Sequence, residues 1–353
     1  LSEVRSGQTI LVGSGAAEPM LFTRTLVELA PRFSDVKVIH LLSVTEKSLL
    51  ARSELSNSFR YNSFYSGRGV SAIVAQGAAD YTPMAVSDLP RAMEVGIIRI
   101  DVALIQVAPP DEFGLCSLGV SVDAAKAAVR HADIVLAQVN ENMPVTLGYS
   151  LIPVDSIHFL VAGDAPLPEV PSDELDPVAS SIGRHISGLI VDGATLHFDR
   201  GPISAATMRY LDTKKDLGIH THILTDDIMR LIRSRAVTNR KKKVNLGKTV
   251  ATMVMGSAEL YQAVNVNPYI ELRPIDQVND PFVISRNDNM VSVHSVHELE
   301  LTGLARAETE VVSEIRNLPS SLDFVDGAFR SSGGYSVLPL PSTSRDCMQS
   351  RIV

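Results

Sequence analysis

The first half of the chain alternates short runs rich in Val, Ile and Leu with longer segments of helical spacing. Each run has few polar residues, so both of its faces are apolar, whereas a half-exposed strand would alternate. Such strands, separated by helices, are typical of a parallel sheet with helices on its faces. The pattern predicts an α/β fold with mainly parallel sheets. The runs are residues 9–12, 36–42, 102–107 and 134–139, and the clearest helical segments are 19–29 and 122–131.

The same alternation returns in the second half, after an interruption rich in proline and acidic residues. Residues 163–178 contain four prolines and five acidic side chains, a composition typical of a linker. A chain of 353 residues has room for two domains. We predict an N-terminal domain over 1–164, a linker over 165–178 and a C-terminal domain over 179–353. The later helical segment is 179–190, and the later strand-like runs are 191–198, 217–224, 249–254 and 336–340.

The charge balance argues against a nucleic-acid partner. The formal net charge is −8 and the pI is about 5.6, whereas binding along a phosphate backbone needs a broad cationic face. The basic run at 240–243, Arg-Lys-Lys-Lys, favours a solvated turn. Steering of an anionic group such as a nucleotide phosphate is the alternative for this run.

The two cysteines, Cys116 and Cys347, give no disulfide framework and no zinc signature. This usage favours a reducing cytoplasmic location. Residues 95–107 form an apolar stretch that two charged side chains interrupt, so we predict no membrane partner. The sequence has no initial methionine and ends abruptly, from which we expect that both ends are trimmed.

A strand followed by a loop stands out at residues 101–119, Asp-Val-Ala-Leu-Ile-Gln-Val-Ala-Pro-Pro-Asp-Glu-Phe-Gly-Leu-Cys-Ser-Leu-Gly. Pro109 and Pro110 end the strand, and Gly114 and Gly119 allow tight turns. An irregular loop after a parallel strand is where α/β proteins place ligands. We therefore expect a long irregular loop here, close to a binding site.

This string resembles the acetyl-CoA hydrolase/CoA-transferase family, including its 4-hydroxybutyrate and acetate CoA-transferases. The resemblance implies two CoA-transferase-like (NagB/RpiA-like) α/β domains that bind an acyl-CoA or related acyl thioester in the cleft between them. Coenzyme A is then a substrate and no resident cofactor is implied. Self-association as a homodimer, or pairing with an active paralogue, is also implied, and the C-terminal domain looks truncated relative to the family. Further matches lie in order at 15–19, 76–80, 137–144, 189–196, 279–281, 287–291, 301–303, 323–328, 332–334, 341–343 and 350–353.

The family's catalytic glutamate is replaced in this sequence. It lies in a motif similar to Leu-Gly-Ile-His-Thr-Glu, which here reads Leu-Gly-Ile-His-Thr-His over residues 217–222. Family enzymes attack the thioester with that carboxylate and form an acyl-glutamyl anhydride. The imidazole of His222 cannot form this anhydride, so the resemblance implies a divergent member with altered chemistry.

Two further family loops are altered. In the family's Gly-x-Gly loop, Asp199 stands for one glycine, Gly201 remains and Ser204 stands for a proline. The family's Ser-Gly-x-Gly-Gly-Gln loop, which offers backbone N–H groups to the thioester oxygen, becomes residues 316–321, where Pro319 has no N–H. The resemblance implies that the substrate or its CoA moiety contacts Gly201, Arg200, Asn317, Ser320, Ser321, His294 and Glu298.

Three functions remain open. In the first, His222 acts as general base on an acyl thioester, with His220 and Asp199 as further catalytic groups and Arg200 as a carboxylate ligand. In the second, the chain is a non-catalytic subunit or binding protein. In the third, it is an ordinary short-chain acyl-CoA:carboxylate CoA-transferase with a displaced nucleophile, for which Glu18 and Glu298 lie in matching motifs.

Histidines are plentiful near the altered loops. His197, His294 and His297 offer further imidazoles, and Glu298 could orient one of them, although a single buried histidine is more often structural. A metal-dependent hydrolase would use His220 and His222, with Asp226 or Asp227 nearby. That spacing is not a recognised zinc signature, so we predict no metal.

Overall fold

The computed structural model describes residues 1–44, 52–64, 74, 77–306, 320–344 and 348–353. Within these ranges no helix is both long and apolar enough to span a bilayer. The helices of the first half are α1 (Met20–Glu28), α2 (Leu89–Glu94) and α3 (Ala125–His131). Its strands are β1 (Thr9–Val12), β2 (Val36–His40), β3 (Phe59–Ser63), β4 (Ala79–Tyr81), β5 (Val102–Val107), β6 (Leu115–Ser117), β7 (Ile134–Val139), β8 (Leu151–Pro153) and β9 (Phe159–Ala162).

Seven strands of the first half form one parallel sheet in the order β4-β3-β2-β1-β5-β7-β9. Strand β5 is buried at all six positions, as expected for a strand covered on both faces. The strand order reverses between β1 and β5, and a crevice at the carboxyl ends of the strands opens at such a point. The loop after β1, residues 13–19, lies at this crevice.

The second half is built on a smaller parallel sheet in the order β11-β10-β16-β19, flanked by the parallel pairs β12-β14 and β13-β15. Its strands are β10 (Thr195–Phe198), β11 (Gly218–Ile219), β12 (Ile223–Leu224), β13 (Thr249–Ala251), β14 (Met253–Val254), β15 (Ile270–Leu272), β16 (Met290–Val293), β17 (Glu298–Leu299), β18 (Ala305–Arg306) and β19 (Tyr335–Val337). Its helices are α4 (Pro177–Leu189), α5 (Pro202–Arg209), α6 (Asp226–Arg233), α7 (Ala258–Val264), α8 (Ile275–Val278), α9 (Pro281–Ser285) and α10 (Ser320–Arg330).

The predicted α/β fold with mainly parallel sheets is confirmed, and all four strands predicted in the first half are present. Two interpretations were wrong. The stretch after β5 is not a wholly irregular loop, because β6 pairs antiparallel with β8. The basic run is not a fully solvated turn, because Lys242 is buried and its Nζ donates to the carbonyls of Ile219 and Lys248, both at 2.7 Å.

Residues 163–176 contain neither helix nor strand. Helix α4 then begins at Pro177, and the carboxylate of Asp176 caps it by accepting the N–H of Ala179 at 2.6 Å. The domain boundaries that we place at 164 and 179 stay predictions.

The two halves meet along backbone hydrogen bonds. The N–H of Val122 donates to the carbonyl of Thr252, and the N–H of Val254 donates to that of Val120. Farther along, the N–H of Tyr149 donates to the carbonyl of Leu272 at 2.8 Å. These hydrogen bonds join loops of the first half to the strand pairs β12-β14 and β13-β15 of the second half.

Gly148 allows the closest approach at this contact. Its φ is +103°, and a Cβ there would lie 2.6 Å from the carbonyl oxygen of Leu272. We expect Gly148→Ala to lower the free energy of unfolding by about 2–3 kcal/mol through backbone strain and overlap. Gly188→Ala is the control, because nothing lies within 4 Å of its Cβ position. Equal urea midpoints for the two variants would contradict this account.

Candidate functional site

A cluster of buried polar side chains lies at the carboxyl ends of the second sheet. His197 is on β10, Asp199 directly follows that strand, and His294 directly follows β16. Since β10 and β16 are parallel neighbours in register, with His197 opposite Ser292, these side chains emerge at the same edge. Both strands are buried at every position, although each carries a polar side chain within it, His197 in β10 and Ser292 in β16.

Asp199 lies between two imidazoles. Its Oδ1 is 3.2 Å from Nε2 of His197, and its Oδ2 is 2.8 Å from Nδ1 of His294. Burial alone would raise the pKa of Asp199, but the two histidines outweigh burial and hold the pKa of this carboxyl well below its usual range. The ionised carboxylate only accepts hydrogen bonds, so both ring nitrogens donate to it.

His197 is held on three sides. Its Nδ1 is 2.9 Å from the hydroxyl of Thr221, and its ring stacks on Phe324 with centroids 3.6 Å apart and planes 7° apart. Burial lowers the pKa of His197 to about 4, so the ring is neutral at pH 7. With the Nε2 proton directed to Asp199, Nδ1 accepts the hydroxyl proton of Thr221.

His222 also has a defined tautomer. Its Nδ1 is 3.1 Å from Oδ1 of Asn279, and burial lowers its pKa to about 4. A neutral ring that donates Nδ1–H to the amide oxygen keeps its lone pair on Nε2. Nε2 is the nitrogen that can take a proton from a reacting group.

His220 forms a hydrogen bond with Val278, the residue that precedes Asn279. Its Nε2 donates to the carbonyl of Val278 at 2.7 Å, and burial lowers its pKa to about 3. Within the described part of the chain, Nδ1 of His220 is buried and has no hydrogen-bond partner. Because Val278 and Asn279 are adjacent in the chain, these two hydrogen bonds place the rings of His220 and His222 against the same segment.

The remaining predicted site residues lie in several places. Gly201, with φ +143°, precedes α5. Arg200 donates to the carbonyl of Pro171 at 3.0 Å, and its guanidinium lies 3.9 Å from Asp173. Ser320 and Ser321 begin α10, and Asn317 lies outside the described residues.

Glu298 lies on the surface hairpin formed by β17 and β18. Its carboxylate is 3.3 Å from the guanidinium of Arg306, and the side chain of Glu298 is half-buried while that of Arg306 is exposed. The structure therefore pairs Glu298 with an arginine, and the orientation of a histidine by this carboxylate stays a prediction.

Glu18 is the other candidate for a displaced nucleophile, and it is 1% exposed. The hydroxyl of Ser43 donates to its Oε2 at 2.8 Å, and Nε2 of His40 is 3.9 Å from the same oxygen. Burial raises the pKa of Glu18 to about 7, and the hydrogen bond from Ser43 partly opposes this rise. A carboxylate nucleophile at this place would be partly protonated at neutral pH.

Sequence reasoning missed three residues that support the cluster, namely Thr221, Asn279 and Phe324. Each lies inside a string that matches the family: 217–222, 279–281 and 323–328. The matches were the available signal, but the strings do not indicate which side chain faces which histidine.

Two clefts lie beside the cluster. A cleft of about 20 Å³, the volume of one water molecule, is bordered by Asp199, Ser204 and Thr225. The hydroxyl oxygens of Ser204 and Thr225 are buried without a hydrogen-bond partner among the described residues. A larger cleft of about 270 Å³ is lined by residues that include Gly201, Ser295 and Arg351.

Sequence comparison identifies the family to which the chain belongs. The acetyl-CoA hydrolase/transferase N-terminal domain matches residues 1–171, and the C-terminal domain of the same family matches 256–353. The chain belongs to the acetyl-CoA hydrolase/transferase family. Neither match includes residues 172–255, where Asp199 and His222 lie.

Individual relatives agree with this assignment. The 4-hydroxybutyrate coenzyme A transferase of Clostridium kluyveri is 36% identical over 100% of this chain and 82% of its own. The crystal structure of RipA from Yersinia pestis is 32% identical with a TM-score of 0.91, over 99% of this chain and 82% of that one. The 4-hydroxybutyrate CoA-transferase of Porphyromonas gingivalis is 33% identical with a TM-score of 0.83, over 99% and 81%.

Proposed function

We propose that this protein cleaves or transfers the acyl group of an acyl-CoA or related acyl thioester, using the imidazole of His222 where the resemblance implies a glutamate nucleophile. Relatives named as CoA-transferases support the substrate class. The hydrogen bond between Nδ1 of His222 and Asn279 carries the proposal, because it fixes the tautomer with Nε2 free to act as base.

The chemistry balances with water as nucleophile. Nε2 of His222 takes a proton from water as its oxygen attacks the thioester carbonyl carbon. The C–S bond then breaks, and the imidazolium returns the proton to the CoA thiolate. The products are a carboxylic acid and free CoA. An acceptor alcohol or thiol in place of water gives acyl transfer.

The acid–base strength of His222 sets a limit on this step. With a pKa of about 4, the ring is unprotonated at neutral pH and is available as a base, although a weak one. We therefore propose a modest turnover that is nearly constant between pH 6 and 8.

A non-catalytic subunit or binding protein is the second candidate. His222 is only 2% exposed, and its low exposure favours a structural role. An ordinary CoA-transferase is the third, and it requires a carboxylate nucleophile elsewhere. Glu18 is buried and Glu298 is paired with Arg306, so neither supports that function.

The test measures thiol release and CoA exchange by mass spectrometry, with acetyl-, butyryl- and 4-hydroxybutyryl-CoA, with and without acetate. We expect His222→Ala to lower thiol release at least about 100-fold, the usual effect of losing a general base. His185→Ala, an exposed histidine on α4, should leave thiol release unchanged.

Other outcomes overturn the proposal. Exchange that needs acetate and survives His222→Ala indicates the ordinary transferase, as does a covalent CoA adduct trapped on any side chain. Binding of acyl-CoA without turnover indicates the non-catalytic protein. Transferase activity gained by His222→Glu would show that the altered loops still support the family's chemistry.

We also infer that the protein is cytoplasmic and forms a homodimer or pairs with an active paralogue. The family resemblance supports the pairing, and the cysteine usage supports the location. Light scattering of the purified protein tests the oligomeric state, and a monomer at micromolar concentration would exclude the homodimer.

A further inference from the structure

The buried cluster contains the ligand types of a transition-metal site. His197, Asp199 and His294 each offer a ligand atom, and these atoms all lie within 4.8 Å of one another. All three side chains are buried. Two imidazoles and one carboxylate make up a three-ligand set that leaves further positions open for water or substrate.

His197 is supported as a metal-binding histidine usually is. His197 contacts Thr221 through the ring nitrogen that does not face Asp199, and Phe324 stacks on the ring. A hydrogen bond to the outer ring nitrogen fixes the orientation of a metal-binding histidine. His197 lies on β10 and His294 directly follows β16, so the backbone on both sides is held by the sheet.

The separations are close to those of a filled site. Nε2 of His197 and Oδ1 of Asp199 are 3.2 Å apart, and Nδ1 of His294 and Oδ2 of Asp199 are 2.8 Å apart. Two ligands about 2.0–2.1 Å from a tetrahedral zinc ion are roughly 3.3 Å apart. The two contacts use different oxygens of Asp199, so the carboxylate would turn to place one oxygen and the two ring nitrogens around a common ion, and the three ligand atoms already lie within 4.8 Å of one another.

Several polar atoms around these three side chains have no hydrogen-bond partner among the described residues. Nε2 of His294 is buried without a hydrogen-bond partner among the described residues. Asp199 also borders the cleft with the volume of one water molecule, beside the unpartnered hydroxyls of Ser204 and Thr225. A water molecule in that cleft can supply a further ligand.

We propose that His197, Asp199 and His294 bind one divalent first-row transition-metal ion, with Zn²⁺ as the best match to the ligand set. Mg²⁺ is excluded as the preferred ion, because it favours oxygen ligands and retains several waters. This set differs from the pair His220 and His222, which the sequence suggested as the only metal option.

The test uses the full chain after treatment with a chelator. Titration with ZnCl₂ in a calorimeter should show one equivalent bound, and MgCl₂ should show none. Co²⁺ in place of Zn²⁺ should give the intense visible absorption of a four-coordinate site. A wild-type protein that takes up no stoichiometric zinc, or whose Co²⁺ spectrum is that of the aqueous ion, overturns the proposal without any variant.

Variants locate the ion. Asp199→Asn and His197→Gln should each weaken zinc binding more than about 100-fold, and Thr221→Val, which removes the outer support of His197, about 10–100-fold. His220→Gln, a buried histidine outside the set, should bind zinc as the wild type does. Equal loss in His220→Gln and Asp199→Asn would place the ion elsewhere. Thiol release by chelator-treated protein tests His222 separately, so either idea can fail alone.

Discussion

Asp199→Ala is expected to lower the free energy of unfolding of the metal-free protein by about 2–6 kcal/mol. The carboxylate is the acceptor for His197 at 3.2 Å and for His294 at 2.8 Å, and all three groups are buried. Removing it leaves two donors without an acceptor in a region that water does not replace freely. Each unsatisfied buried group costs about 1–3 kcal/mol.

Urea unfolding in EDTA measures this change. Asp199→Asn keeps the volume and one acceptor oxygen, so we expect about half of the loss. Asp212→Ala is the matched control, because that carboxylate pairs with Arg230 at 2.6 Å but both side chains are more than a third exposed. Exposed pairs contribute under about 1 kcal/mol. A loss in Asp199→Ala no larger than in Asp212→Ala would show that the carboxylate does not hold the cluster.

Four of the seven strands of the first sheet could be predicted from the sequence, because their residues are mostly apolar. Strands β3, β4 and β9 were not predicted, since burial alternates along β3, only Ala79 of β4 is buried and all four residues of β9 are exposed. Strands β1, β5 and β7 are apolar on both faces, and that local pattern is typical of strands covered by helices on both sides. The second sheet was harder to predict. Residues 217–224 were predicted as one strand, but the structure has two strands of two residues, β11 and β12. The break lies where His220 and His222 turn to Val278 and Asn279.

The arrangement of the site could not be predicted, because its contacts join residues far apart in the chain. Asp199 and His294 are 95 positions apart, and His222 and Asn279 are 57 apart. Hydrophobic periodicity carries no information on such pairs. Family motifs located His222 and Asp199, but the motifs gave no partners for them.

The burial of Lys242 also could not be predicted from the sequence. Four consecutive cations predict a solvated turn, yet Lys242 is 2% exposed. Gly218 makes this possible, because a Cβ there would lie 2.7 Å from Cγ of Lys242. Burial lowers the pKa of Lys242 to about 7, and two carbonyls accept its protons. Only the folded chain brings this glycine and this lysine together.

Acidification from pH 7 to pH 5 is expected to lower the free energy of unfolding of the metal-free protein by at most about 4 kcal/mol. Four buried histidines cause the loss. Burial lowers the pKa of His40, His197 and His222 to about 4 and that of His220 to about 3, from the usual 6.5. The unfolded chain therefore binds more protons than the folded chain between pH 4 and 6.5, so stability falls as the pH is lowered through that window.

Three buried acids, Glu18, Asp123 and Asp323, oppose this loss, and burial raises the pKa of Asp123 as it does for the other two. Burial raises the pKa of Glu18 to about 7 and that of Asp323 to about 6. Both bind protons more readily in the folded state, so their contribution grows as the pH falls from 7 to 5. Linkage gives roughly 7 kcal/mol lost through the four histidines and roughly 3 kcal/mol regained through Glu18 and Asp323, and the raised pKa of Asp123 reduces the net loss further.

Urea unfolding in EDTA at pH 7 and pH 5 measures this net change in the free energy of unfolding. The variant His220→Gln then measures the share of the change that comes from His220. The glutamine amide can donate to the carbonyl of Val278, as Nε2 of His220 does at 2.7 Å, but it does not titrate. The variant should therefore lose about 2 kcal/mol less than the wild type between the two pH values. A His220→Gln variant that loses as much stability as the wild type between pH 7 and pH 5 would contradict the role assigned to His220, because glutamine does not titrate.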